Sequence, residues 1–436
     1  MGSRTDENSP LKKCVTGFAS VFRNRRLQEL PHWQSQWHTL RLSDLSNFNH
    51  PLIQTQTREA YAVTVVDYAS ELIRFESTST LSNGPVTDYA ESVLRDLGCE
   101  TERIEYQDDG VLKANVVGRS GTGTGGLAYF GHTDVVPVDD WSIHEHGPFE
   151  PVVRDGRLYG RGSTDMKGSI ACMFAALQSV KDQSFKQPLF ISCSSDEELD
   201  HRGAIEVAQR SRLYRELIEG GARGIVGEPT SLDVVYAHKG GVQVVVTSHG
   251  KAAHSSTREG VNANLAMIPF LQDLKSIYEM TESDTSLMDT EFDPPTVCMN
   301  IGINDHTKAV NITAPQSVCT ACFRPMPGTD VESIVEQIRS AADSHGVEFW
   351  LKGQNPPFRR DPDSDYVKQS VALTNDRPAR TVAYGSEAGN FDEIEHLIVL
   401  GPGDIAQAHK SDEWIALEQL DEGQRVYSSM IRQFCL

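Results

Sequence analysis

The sequence predicts an α/β protein in which a mixed-sheet domain is interrupted by a smaller ferredoxin-like lobe. Three observations predict it. From about residue 60, short apolar runs alternate with helical stretches, the pattern of a sheet flanked by helices. Between 239 and 353 the order becomes strand, helix, two strands, helix, strand, the β-α-β-β-α-β signature of a ferredoxin-like unit. Near residue 358 the first pattern resumes and runs to the C-terminus.

Residues 1–58, with Trp33 and Trp37, have no clear period and are read as an N-terminal extension of open structure. Apolar spacing over Val63–Phe75 predicts the first helix, and the clearest strands are Gly126–Phe130, Pro188–Cys193, Gly224–Val226 and His396–Leu400. The long helix Lys167–Val180 carries small and apolar residues all round, as a buried helix does. In the lobe the predicted elements are Gly241–Thr247, Val261–Met280, Thr296–Gly302, Ser317–Phe323, Val331–Ser344 and Val347–Leu351. One domain, 59–238 with 354–436, is thus split around the lobe, 239–353.

At 436 residues the chain exceeds a single core of ordinary size, which fits that division. The formal net charge of −21, from 40 Lys+Arg against 61 Asp+Glu, argues against a nucleic-acid partner and favours a small diffusing substrate. No apolar run approaches the ~18 residues of a membrane span. Residues 1–30 lack the apolar core of a signal peptide, and Asp6 spoils a myristoylation signal at Gly2. Eight cysteines are scattered, several inside apolar strands, as reduced core thiols are, which favours the cytoplasm. Cys319 and Cys322 have metal or redox spacing, but on a strand they face opposite ways.

Potential metal ligands and bases fall directly after predicted strands, where open α/β sheets place their sites. His132 and Asp134 follow one strand, Glu197 and Glu198 a second, Glu228 a third and His409 a fourth. Asp165 sits in the glycine-bounded turn Gly160-Arg-Gly-Ser-Thr-Asp-Met-Lys-Gly168 that opens the long helix. Any one of these acids alone reads as a solvated loop residue or helix cap. Together, two histidines and three carboxylates suit zinc, cobalt or manganese, and a bridging carboxylate would hold two ions roughly 3.5–4 Å apart. Such a pair can share one water, bring its pKa toward neutrality and polarise a carbonyl. The general base must stay off the metal; in Asp196-Glu-Glu198 adjacent side chains diverge, so Glu197 is assigned as base and Glu198 as ligand. Asp134 is placed to orient the His132 ring. His144, His146 and His201 are read as surface residues.

These residues resemble the M20 metallopeptidase family, through Gly131-His-Thr-Asp-Val-Val-Pro137, Leu158-Tyr-Gly-Arg-Gly-Ser-Thr-Asp-Met-Lys-Gly168, Asp196-Glu-Glu198 and Gly227-Glu-Pro-Thr-Ser231. The resemblance runs from about residue 60 to the end. It implies a zinc-peptidase-like domain with an inserted lid and dimerisation domain. It makes Asp165 the bridging ligand, places His132 and Glu228 on one ion and Glu198 and His409 on the other, and makes the Asp165–Met166 peptide cis. His254, in Gly250-Lys-Ala-Ala-His254, matches a histidine that reaches an active site, often from the partner of a homodimer. Asn311 and Arg324 match positions that hold a substrate carboxylate, for which a planar guanidinium is suited.

Within the family the acetylornithine deacetylase branch looks nearest, on Ala237-His-Lys-Gly240, Gly385-Ser-Glu-Ala388, Leu400-Gly-Pro-Gly403 and Gln407-Ala-His-Lys-Ser-Asp-Glu413. That implies removal of an acetyl group from N-acetylornithine, with Gly385 and Ser386 touching bound product and Glu387 meeting a distal ammonium. The chain departs from the pattern at Asn304–Ala309 and at Cys322, where an acid is usual. Competing readings keep the chemistry with another substrate (succinyl-diaminopimelate, N-acyl amino acids in general or dipeptides), or make the chain an inactive metal-binding scaffold.

Overall fold

The computed structural model describes residues 63–374 and 376–436. The N-terminal extension therefore lies outside the described residues. Thr64 and Asp67 cap each other's backbone and start the first helix at Val65, and it ends at Arg74.

Among the described residues the main sheet has nine strands. Its centre is four parallel strands, Leu189–Ser194, Leu127–His132, Arg223–Val226 and Leu397–Val399, side by side in that order. An antiparallel hairpin, Glu100–Asp108 and Val111–Ser120, extends one side. Its turn is Asp109-Gly110, both at positive φ (45° and 83°), the backbone that a tight two-residue hairpin requires. Val235–His238, Phe358–Arg359 and Arg380–Val382 extend the other side, making the sheet mixed as expected.

Strand pleating sends alternate residues to two separate cores. Leu127 and Tyr129 pack under the helix Lys167–Val180, of which 12 of 14 residues are buried, and under the C-terminal helix Leu417–Cys435. Ala128 and Phe130 pack on the other face with Val207, Leu213, Tyr214 and Leu217. This double burial explains why the central strands read as unbroken apolar runs. Among the described residues no helix is long and apolar enough to cross a membrane.

Residues 241–355 form a second, four-stranded antiparallel sheet in the order Met299–Asn304, Gln316–Phe323, Gly241–His249, Glu348–Asn355. The helices Asn264–Ser283 and Val331–Ser344 complete the β-α-β-β-α-β order. Val242, Val244 and Val246 share a core with Phe270, Leu274 and Ile338. Gly241 pairs with Asn355, so the chain enters and leaves this unit at one point.

Gly227 lies between the third central strand and Glu228, where a Cβ would stand 2.4 Å from both Tyr129 Oη and Ser169 Oγ. Gly227→Ala should therefore cost about 1–3 kcal/mol of stability. A melting temperature equal to that of wild type would show that these hydroxyls yield freely.

Candidate active site

Parallel strands deliver their carboxyl ends to one edge of the sheet, and the candidate residues gather there. His132 ends its own strand, in register with Ser194. Two residues beyond Ser194 begins Asp196-Glu-Glu198, Glu228 lies two residues past Val226, and His409 comes from the long loop after Val399. Asp165 arrives from the turn before the long helix, and its peptide bond to Met166 is cis as the resemblance implies.

His132 is fully buried, with Nε2 3.1 Å from Asp165 Oδ1 and 3.9 Å from both Glu197 Oε2 and Glu228 Oε1. The other oxygen of Asp165 lies 3.4 Å from His409 Nε2, which is 2.9 Å from Glu198 Oε2. Asp165 thus shows one oxygen to each histidine, as a bridging ligand must. Ligand atoms of His132, Asp165 and Glu198 lie within 4.8 Å of one another, as do those of His132, Glu197 and Glu228. This grouping differs from the partition drawn from the resemblance: His132 belongs to both groups and His409 to neither.

The acids are crowded. Burial, then the charges of Asp165 and Glu197, pushes the Glu228 carboxyl well above its ordinary pKa, and Glu197 is raised likewise by burial and by Glu198. Burial and the Asp165 charge push Glu198 up to about 7. Burial lowers the basicity of His132, but its carboxylate neighbours outweigh burial and hold it well above the usual imidazole value. Glu228 Oε1 is buried without a hydrogen-bond partner. To stand ionised together with this little solvent, four carboxylates need cations beside them, and the donor set, carboxylate oxygen with imidazole nitrogen, is the one that divalent zinc, cobalt or manganese takes. The residues fit a metal centre.

The neighbouring side chains hold these acids in place. His132 Nδ1 lies 3.0 Å from the Asp134 carbonyl oxygen and 3.6 Å from its carboxylate. The Asp134 carboxylate was expected to accept the ring N–H, yet its backbone carbonyl stands nearer to the ring; the carboxylate accepts the backbone N–H groups of Glu197 and Glu198 and the Ser79 hydroxyl. Asp196, at φ 56°, is fixed by a buried ion pair with Lys113 (2.5 Å) and by the Tyr106 hydroxyl (2.6 Å). Glu413, fully buried, accepts the N–H groups of Gly162, Thr164 and Asp165 and pairs with Arg161 at 2.9 Å. Lys113, Tyr106 and Glu413 were not singled out from sequence; only Glu413, inside a motif already noted, carried a signal.

Two surface assignments are corrected. His146 is buried, its ring against those of Trp141 and Tyr159. His201 is 5% exposed, with Nε2 3.3 Å from Glu197 Oε1 and Nδ1 2.8 Å from Asn390 Nδ2. Burial pushes its pKa down to about 3. Its backbone is left-handed (φ 59°), with the N–H donated to the Asp196 carbonyl, so the turn that closes the acidic loop points this ring inward. His144 is exposed.

Asp165, Glu197, Glu198, Glu228 and His409 open onto a cavity of about 190 Å³ that also meets His201, Arg324, Tyr384, Gly385 and Ser386, while His132 lies buried behind it. A Cβ at Gly241 would stand 3.1 Å from Arg324 Nη1, and one at Gly385 3.9 Å from it. Glycine at both positions leaves room for the guanidinium. Glu387 does not line the cavity: it lies behind, accepting the Ser194 hydroxyl at 2.8 Å, and burial pushes it up to about 7. His254 and Asn311 also lie off the cavity of this single chain. Both are exposed and adjacent, the Ser255 N–H bonding the Asn311 carbonyl.

Residues 128–433 match peptidase family M20/M25/M40. The chain is 33% identical over 387 residues to an acetylornithine deacetylase of Myxococcus xanthus, covering 84% of this chain and 96% of that one. It is 31% identical over 394 residues to an acetylornithine deacetylase of Aliivibrio fischeri, covering 85% and 98%. Among solved structures, an M20 metallo-carboxypeptidase of Sulfolobus solfataricus superposes with a TM-score of 0.71 at 16% identity, over 84% of this chain and 98% of that one. A dinuclear metal-binding M20 peptidase of Bacillus subtilis gives 0.56 at 12%, over 84% and 96%. With a family match over most of its length and acids crowded at the strand ends, this chain belongs to peptidase family M20/M25/M40 and is a metal-dependent hydrolase of amide bonds.

Proposed function

We propose that the chain is a two-metal amidohydrolase that removes the acyl group from a small N-acylated amino acid. The observation that carries this reading is the Asp165 carboxylate facing His132 with one oxygen and His409 with the other. His132, Asp165, Glu198, Glu228 and His409 would hold two divalent ions, zinc, cobalt or manganese. When bound, the ions would supply a water acidified to a pKa of about 7 and polarise the scissile carbonyl.

Glu197 accepts the proton of the attacking water and delivers it to the nitrogen as the amide C–N bond breaks, so one carboxylate serves both steps and ends as it began. Asp134 fixes the His132 ring and, through the two N–H groups it accepts, the Glu197–Glu198 backbone. Arg324 takes the substrate carboxylate through its planar fork, beside Gly385 and Ser386. His254 and Asn311, exposed together on loops beyond the strands of the second sheet, fit delivery to the cavity of a partner subunit, with residues 239–353 acting as lid and dimer-forming domain. The buried unpaired thiols of Cys99, Cys172, Cys193, Cys319 and Cys435 support a reducing compartment such as the cytoplasm.

The chain's likeness to acetylornithine deacetylases makes N-acetylornithine the first substrate to test. A second reading has its own support. Outside the four clustered acids no carboxylate lines the cavity among the described residues, whose remaining walls include Leu199, Gln243, Tyr384 and Ile405. Those walls suit N-acyl amino acids with uncharged side chains as well as a cationic one.

Turnover on N-acetylornithine, neutral N-acetyl amino acids, succinyl-diaminopimelate and simple dipeptides, with each metal added back to stripped protein, separates these readings. N-acetyl substrates should lead in kcat/KM; a preference for dipeptides would make this a dipeptidase, and inertness throughout a scaffold. Glu197→Gln should lower kcat by roughly 10²- to 10⁴-fold with metal content and melting temperature unchanged. Undiminished turnover in that variant would remove Glu197 as base.

Metal removal has a signed consequence. Glu198 and Glu387, held at about 7 against the usual ~4.3 of an unfolded glutamate, bind protons more tightly folded than unfolded. Their contribution is present below the unfolded value and is lost as pH climbs toward 7. Metal-free protein should melt at a lower temperature at pH 7.5 than at pH 5.5, and added zinc should recover more stability at the higher pH. A metal-free melting temperature that rises across this window would count against the crowding.

A further inference from the structure

We infer that Asn390 and His201 form a positioning relay for Glu197: the Asn390 amide donates to Nδ1 of His201, whose Nε2–H donates to Glu197 Oε1. The inference rests on the assignment of Glu197 as base. Its geometry stands apart from that assignment.

The contacts run in series, 2.8 Å from Asn390 Nδ2 to His201 Nδ1 and 3.3 Å from His201 Nε2 to Glu197 Oε1. A ring nitrogen that accepts from an amide N–H carries no proton, so the neutral ring must carry its proton on the other nitrogen. That Nε2–H is the donor the relay assigns to Glu197 Oε1, 3.3 Å from the nitrogen. The second carboxylate oxygen, Oε2, faces His132 at 3.9 Å. One oxygen is therefore tied down and the other is left facing the metal-ligand cluster, where a reacting water would stand. A base oriented by a second group, itself oriented by a third, is the general logic of catalytic triads.

Local backbone commits both partners. His201 is held in the left-handed region, which a non-glycine residue adopts at a cost and retains where surrounding structure insists on it. Its helix starts hard against the strand end, since a Cβ at Gly203 would come within 2.0 Å of the Ser195 carbonyl oxygen. Asn390 closes the short helical turn Glu387–Asn390, capped by the Ser386 hydroxyl. The relay thereby joins the Gly385–Asn390 segment, which borders the cavity, to the base.

The test uses metal-loaded full-length protein and three variants. His201→Leu should lower kcat about 10- to 100-fold, with KM within about twofold and metal content unchanged. His201→Gln, which keeps an N–H donor, should recover most of the loss, and Asn390→Ala should show a smaller fall. Nitrogen-resolved NMR of the wild-type ring should report the Nε2–H tautomer, and Asn390→Ala should mix the two tautomers. Wild-type turnover in His201→Leu, or a ring protonated on Nδ1, overturns the relay. Where His201→Leu does not fold, Asn390→Ala and the wild-type tautomer decide. If Glu197→Gln retains activity the base assignment falls, while the tautomer still reports whether the relay exists.

Discussion

The constraint on which the structure turns is electrostatic: Asp165, Glu197, Glu198 and Glu228 are brought to one dehydrated point at the ends of four parallel strands. Ionised carboxyls buried this close repel each other and have lost their hydration, a cost of several kcal/mol per charge in real proteins. The fold meets part of it locally. Asp165 is the exception among the four, its pKa held low because two imidazoles outweigh its burial. The other three are left with raised pKa values and, in Glu228, an oxygen without a hydrogen-bond partner. A centre that is strained in this way is one that cations stabilise, and binding and folding then draw on the same free energy.

Crowding of this sort would push the loops apart if they were free to move. They are fixed by groups that themselves never face the cavity. Asp134 pins the Glu197–Glu198 backbone from below, Lys113 and Tyr106 pin Asp196 from behind, and Glu413 gathers three N–H groups of the Asp165 turn. Each is a charge-assisted contact in a dry interior, where a fully satisfied network is rigid and a half-satisfied one is costly. Positive φ at Asp196, His201 and His409 marks the same demand in the backbone.

Much of this was legible in the chain. The helices Lys167–Val180 and Val331–Ser344 have the bounds that their apolar spacing predicts, because burial and period agree there. The strand ends announced where the candidate ligands gather because a parallel sheet has only one productive edge. What escaped were residues whose meaning depends on a partner far away in sequence. His201 reads as a polar loop residue until Asn390, 189 positions later, supplies the other half of its hydrogen bonding. Lys113 looks like a solvent-facing strand residue until Asp196 is placed against it. Glu387 was expected to face the substrate, yet the Ser194 hydroxyl draws it behind the sheet edge. No local pattern encodes such long-range pairings.

The second sheet adds a geometric condition. Gly241 and Asn355, paired where the unit joins the rest of the chain, stand at the cavity wall, and Arg324 projects over Gly241 from the end of a neighbouring strand. Lys239, fully buried at the same junction, donates to the Pro294 and Thr296 carbonyls and ties the connection to the loop before Met299–Asn304. The cationic side chain suited to gripping a carboxylate is thus carried by the inserted unit, while the acids are carried by the main sheet. The separation between grip and acids is set by how that junction packs. Under the proposed function, selectivity among substrates of different length would then be a property of the junction, which would make the residues around Gly240 and Gly241 as much a part of the site as its candidate ligands.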